Sequence, residues 1–154
     1  MSGSRSKANK QRKDAPVERR NGDSQATGQR FEDKTVELLK AQGFRIVTTN
    51  FRSRGGEIDI IATDDHQLLF VEVRVRRSSR YGSAAATVNA KKQCKIARCA
   101  ACFLQKHPRW NNRPCRFDVI AWEPLDTSGW EPREASQRPQ EHYIANWIPG
   151  AFLG

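Results

Sequence analysis

Four charged side chains stand where the surrounding sequence is apolar. In GGEIDIIA, Glu57 and Asp59 lie two residues apart among Ile58, Ile60 and Ile61; in LLFVEVRVR, Glu72 and Arg74 repeat that spacing among Val71, Val73 and Val75. Strand alternation puts Glu57 and Asp59 on one face with Ile58 and Ile60 on the other, and likewise pairs Glu72 with Arg74 on the next strand. A carboxylate inside an apolar strand is costly unless it is paired or binds a metal. Asp59 and Glu72 on one face of a hairpin would supply the oxygen ligands that octahedral Mg²⁺ or Mn²⁺ prefers, leaving positions for water and a phosphate oxygen. A phosphodiester is the expected guest. The competing reading is a buried Asp59–Arg74 salt bridge with no metal. Glu57 is expected to be structural or supporting, and Asp118 to pair with an arginine or cap local structure.

The elements that must position these groups follow from periodicity. Phe31, Thr35, Leu38 and Leu39 recur at helical spacing with Gly43 placed to stop the run, which predicts a helix over about 26–42. Residues 44–49 alternate as a first strand, Arg52 to Gly56 is a glycine-ended turn, and a second strand spans 57–62. After a polar turn at 64–67 comes a third strand, hairpin-paired to the second, with Leu69, Val71, Val73 and Val75 on one face and Leu68, Phe70, Glu72, Arg74 and Arg76 on the other. Residues 84–106 read as a long helix, CRFDVIAW as a fourth strand, 123–141 as a long loop and HYIANWIP as an edge strand.

The chain has 154 residues, enough for one domain, taken here as 27–154. Residues 1–26 carry seven Lys or Arg and three acids, a net +4 with almost no apolar groups, and read as a disordered basic tail. The whole chain is +10, so the remainder is basic too, at +6. With a pI near 10 and a mean hydropathy of -0.77, the expected partner is nucleic acid, DNA or RNA, drawn in by counterion release. Arg74, Arg76, Arg77 and Arg80 gather at and beyond the end of the third strand, close to where a phosphate would sit. Lys91, Lys95 and Arg98 recur at i, i+4 and i+7 as a cationic stripe, which a solvated helix face would also explain. Tyr81 and Gly82 could stack on an unpaired base or simply turn the chain. No run reaches the ~18 apolar residues of a membrane helix and the start lacks a signal-peptide core, so a cytoplasmic protein is expected. Cys99 and Cys102 form a CxxC, but Cys94 and Cys115 supply no second pair, and buried helix cysteines are expected rather than zinc or redox chemistry.

The order Asp59, Glu72, one residue, Arg74 resembles the PD-(D/E)xK nuclease superfamily. GQRFEDKTVELLKAQGFRIVTTNFRSRGGEIDIIA, FVEVRVRRSSRYGSAAATV, CRFDVIAW and the terminal WIPGAF resemble the bacterial YraN-like family over about residues 27–123. That resemblance implies an α/β, restriction-endonuclease-like core related to archaeal Holliday-junction resolvases, with a mixed sheet of about four to five strands flanked by helices. It implies Asp59 and Glu72 as metal ligands, the Val73 carbonyl as a third, and Glu32 as the helix carboxylate added to the site, although Glu32 beside Asp33 and Glu37 also reads as a solvated helix acid. It also brings Lys92 and Gln93, on the helix after the third strand, toward the site. Arg74 stands where the superfamily usually has lysine. A guanidinium can clamp a phosphate but cannot act as a general base, so activating the nucleophile would fall to the metal. The implied activity is a metal-dependent endonuclease, possible as a homodimer by analogy with resolvases; the alternative is a non-catalytic nucleic-acid-binding module on the same fold.

Overall fold

The computed structural model describes residues 18–76, 88–125 and 143–153, with side chains from residue 25 onward. The expectations for residues 1–17, for Arg77, Arg80, Tyr81 and Gly82, and for most of the 123–141 loop lie outside these. The described elements are α1 (Glu18–Ala41), β1 (Arg45–Ser53), β2 (Gly56–Thr63), β3 (Leu68–Val75), α2 (Ala90–Lys106), a 3₁₀ turn (Pro108–Trp110), β4 (Cys115–Pro124) and β5 (Tyr143–Phe152). The five strands form one mixed sheet in the order β1-β2-β3-β4-β5. Neighbours are antiparallel except β3 and β4, which run parallel across the α2 crossover. This is an α/β fold consistent with a restriction-endonuclease-like core. Among the described residues, no helix is long and apolar enough to cross a membrane.

Alternation along β3 divides the core. Leu68 and Phe70 join Ile96, Cys99, Ala100 and Phe103 of α2, while Leu69 and Val71 join Phe31 and Leu39 of α1 on the other face. On α1, Phe31, Thr35 and Leu39 are buried one turn apart. Thr35 Oγ1 donates to the Phe31 carbonyl at 2.7 Å and accepts from Trp122 Nε1 at 2.8 Å, so the buried hydroxyl ties the helix to β4. Gly43, at φ 88°, ends α1: its N–H donates to Lys40 O and that of Phe44 to Leu39 O, both at 3.0 Å.

Three boundaries differ from the sequence reading. α1 starts at Glu18 rather than near 26, because a polar helical turn carries no apolar period to detect. α2 starts at Ala90: the Asn89 side chain accepts from Lys92 N at 2.9 Å, and Val88 enters the core instead of extending the helix. β1 runs to Ser53, so the turn shrinks to Arg54 and Gly55.

Candidate functional site

The site lies where the β2–β3 ladder opens. The two strands pair only from Ile60–Val71 to Thr63–Leu68. Beyond Val71, β3 continues alongside β4, but on its β2 side the Val73 N–H donates 2.7 Å to Asp59 Oδ2 instead of to a backbone carbonyl. A side chain thus replaces a strand partner and fixes Asp59 against the β3 segment bearing Glu72 and Arg74. The opening also corrects the assignment of faces on β2. Ile58 packs with the α2 cluster and Ile60 with the α1 cluster, rather than sharing a face. Released from β3, the β1–β2 ribbon is free to twist more strongly than a sheet interior, which accounts for the divergence.

Glu72 is 4% exposed. Its Oε1 lies 3.2 Å from Lys92 Nζ at the start of α2 and 3.2 Å from Arg74 Nε; the latter contact is an ion pair without hydrogen-bond alignment. Its other oxygen, Oε2, is buried with no hydrogen-bond partner among the described residues. Burial, and then the Glu72 charge, push Asp59 up to about 7 from an ordinary 3.8. Glu72 is itself raised, chiefly by burial, with Lys92 and Arg74 opposing the rise. Two carboxyl groups whose charged forms are both penalised by burial, one of them carrying a buried unpartnered oxygen, fit a divalent cation, which would relieve both conditions. Among the described residues, no three His, Cys, Asp or Glu side chains gather closely enough to hold a metal by themselves. A metal here would therefore rest on Asp59, Glu72 and backbone or water oxygens.

Glu32 reaches the same neighbourhood from α1. Its Oε2 accepts from Asn50 Nδ2 at 3.1 Å, and its charge is one of those that raise Asp59. Glu57 pairs with Arg52 at 3.0 Å across the hairpin. Both line an open cleft of about 480 Å³ with Ser53, Gly56, Lys92 and Lys95. Lys91 is exposed and does not line that cleft, while the Gln93 side chain turns back to donate to Val88 O at 2.8 Å. Arg76 pairs with Glu123 at 3.6 Å.

Asp118 is fully buried and holds no place in this cluster. Arg116 grips it through two contacts of 2.8 Å, and Trp147 Nε1 and the Gly150 N–H donate to it at 2.9 and 3.0 Å, locking β4 to β5. All four cysteines are free; only Cys99 is buried, its thiol facing Gly56 O at 3.4 Å. The sequence reading missed Asn50. Its one signal was an asparagine, a poor strand former, inside the strand-like run IVTTNF.

The sequence profile described as "Uncharacterised protein family UPF0102" matches residues 31–122. The chain belongs to the UPF0102 family. UPF0102 proteins of Pseudomonas entomophila and Pseudomonas putida (strain GB-1) are 43% and 42% identical to it. The first alignment covers 61% of this chain and 76% of the relative, the second 81% and 91%. A UPF0102 protein of Alcanivorax borkumensis is 39% identical over 82% of this chain and 90% of its own length. The UPF0102 match takes in Glu32, Asn50, Asp59, Glu72, Arg74 and Lys92, so the whole cluster lies within the family's shared region.

Proposed function

We propose that the protein is a metal-dependent nuclease that hydrolyses phosphodiester bonds in DNA or RNA. The observation that carries this reading is the pair Asp59 and Glu72 meeting at an opened strand ladder, with Glu72 Oε2 buried and unpartnered. Asp59, Glu72 and the Val73 carbonyl would hold Mg²⁺ or Mn²⁺, with Glu32 beside them. When bound, such an ion lowers the pKa of water and withdraws charge from a phosphate oxygen. Arg74 and Lys92 flank that position, each 3.2 Å from Glu72. The planar guanidinium of Arg74 suits two phosphate oxygens at once, and Lys92 adds a compact second positive charge. Lys95, Arg52 and the cleft they border would carry the flanking strand, with Lys91, Arg77 and Arg80 as further nucleic-acid contacts, whereas Gln93, held by Val88 O, and Arg76, paired with Glu123, are engaged within the protein.

One observation favours the alternative of a binding module without catalysis: Lys92 and Arg74 already supply positive charge to Glu72. Incubation of the purified protein with single-stranded, branched and duplex DNA and with structured RNA, with Mg²⁺ or Mn²⁺, separates the two. Cleavage that is lost with EDTA and in Asp59→Ala is the expected result. Binding to these nucleic acids with no cleavage under any condition would establish the alternative. Sedimentation of the same samples tests whether a homodimer forms to act on two strands.

A further inference from the structure

Asn50 is the one residue other than glycine with a positive φ among the described residues, at 51°. That conformation is unfavourable for most L-residues and least so for asparagine, and inside a β-strand it is out of place. The flanking pairs Thr49–Ile60 and Phe51–Ile58 keep the β1–β2 register intact on both sides, which sets Asn50 opposite Asp59. Its amide reaches across to α1 and donates 3.1 Å to Glu32 Oε2, leaving the other Glu32 oxygen uncommitted to it. The strained residue therefore touches the helix carboxylate and stands beside the strand carboxylate at once.

We propose that Asn50 is a positioning residue: its left-handed backbone aims the amide at Glu32 and holds that carboxylate near Asp59, where it can orient a water ligand of an ion carried by Asp59 and Glu72. This assignment rests on the metal-site reading above. Strain retained at one residue between two register-matched pairs is the kind that persists where surrounding structure fixes it for a purpose. If the purpose were only to shape the strand, glycine would serve equally well.

Two substitutions separate backbone from amide. Asn50→Gly keeps the positive φ without steric cost and removes the amide; Asn50→Ala removes the amide and adds strain. Thermal melting of the metal-free proteins should leave Asn50→Gly near the parent and place Asn50→Ala below it. Calorimetric titration with Mn²⁺ should show both weakened about tenfold or more, as supporting-residue changes commonly do. Glu32→Gln should be weakened similarly, and the double variant Asn50→Gly/Glu32→Gln should be no weaker than Glu32→Gln alone. Parent-like Mn²⁺ affinity in Asn50→Gly, or effects of Asn50→Gly and Glu32→Gln that multiply, would overturn the assignment while leaving the metal site standing. A parent protein that gives no Mn²⁺ binding dependent on Asp59 overturns the metal-site reading, and the assignment falls with it.

Discussion

Glu72 is held by two cations on one oxygen and by nothing on the other, and that asymmetry governs what the site can be asked to do. With Asp59 raised to about 7 from 3.8, the native state holds more protons than the unfolded chain between roughly pH 4 and pH 7. Metal-free stability should therefore fall as pH rises through that window. Mn²⁺ needs the ionised carboxylates, so its stabilising effect should grow over the same interval. Melting with and without Mn²⁺ at pH 6 and pH 8 checks both slopes: a larger Mn²⁺-induced rise in Tm at pH 8 is expected, absent in Asp59→Ala and Glu72→Ala. An equal rise at both pH values would place the ion elsewhere. Arg74 gives a second prediction. Arg74→Lys should keep most nucleic-acid binding, whereas Arg74→Ala should weaken binding and cleavage and raise Glu72 further by removing a neighbouring cation. Parent-like behaviour of Arg74→Ala would remove it from the site. Asp59 and Glu72 were legible in the sequence because a carboxylate in an apolar strand is conspicuous, and Glu32 through resemblance. Asn50 stood out only as a poor strand former inside a strand-like run, and the direction its amide takes toward Glu32 depends on tertiary packing that residue type alone does not fix.

The elements were legible wherever burial imposes a period. The two faces of β3 were read correctly because one meets α1 and the other α2, and Gly43 was recognisable as a helix stop from its place after the last apolar residue. The polar start of α1, the beginning of α2 and the faces of Ile58 and Ile60 were misread, since they depend on caps, on twist and on where a ladder ends. How the β1–β2 hairpin meets α2 was equally hidden. A Cβ at Gly55 would stand 2.9 Å from Arg98 Cβ and 3.1 Å from Cys99 N, so backbone rests directly on backbone there. Gly55→Ala should cost about 1–3 kcal/mol in denaturant unfolding, by pushing the hairpin off the helix. It should also weaken Mn²⁺ binding if the hairpin that carries Asp59 shifts relative to Lys92. Gly28, inside α1 with nothing within 4 Å of its missing Cβ, is the control. Gly28→Ala should stabilise the protein by about 0.5–1 kcal/mol. A neutral Gly55→Ala would show that the contact yields without effect.

At the scale of the whole molecule, the charge on which the proposed nucleic-acid partner rests is spread over more than the site. Residues 1–17 contain five Lys or Arg and one acid, so they carry +4 of the chain's +10, and the rest keeps +6. If only residues 18–154 meet a polyanion, the slope of log affinity against log salt is set by residues such as Lys91, Lys95, Arg52 and Arg74. If the first 17 residues also reach phosphates, each contact adds about 0.7 to the slope on a single strand or 0.9 on a duplex. Deletion of residues 1–17 leaves α1 whole from Glu18, so it removes charge without removing a described element. The truncated chain should melt within a few degrees of the parent and bind a fixed oligonucleotide more weakly at low salt. Its slope should be shallower by about one unit or more, with the two chains converging as salt screens the extra contacts. Anisotropy titrations between 50 and about 300 mM salt measure this directly. An unchanged slope would confine the phosphate contacts to residues 18–154, and a large fall in Tm would show that residues 1–17 contribute to stability. The same titration on Asp59→Ala distinguishes affinity from chemistry: removing a negative charge should leave binding intact or tighter, even where cleavage is gone.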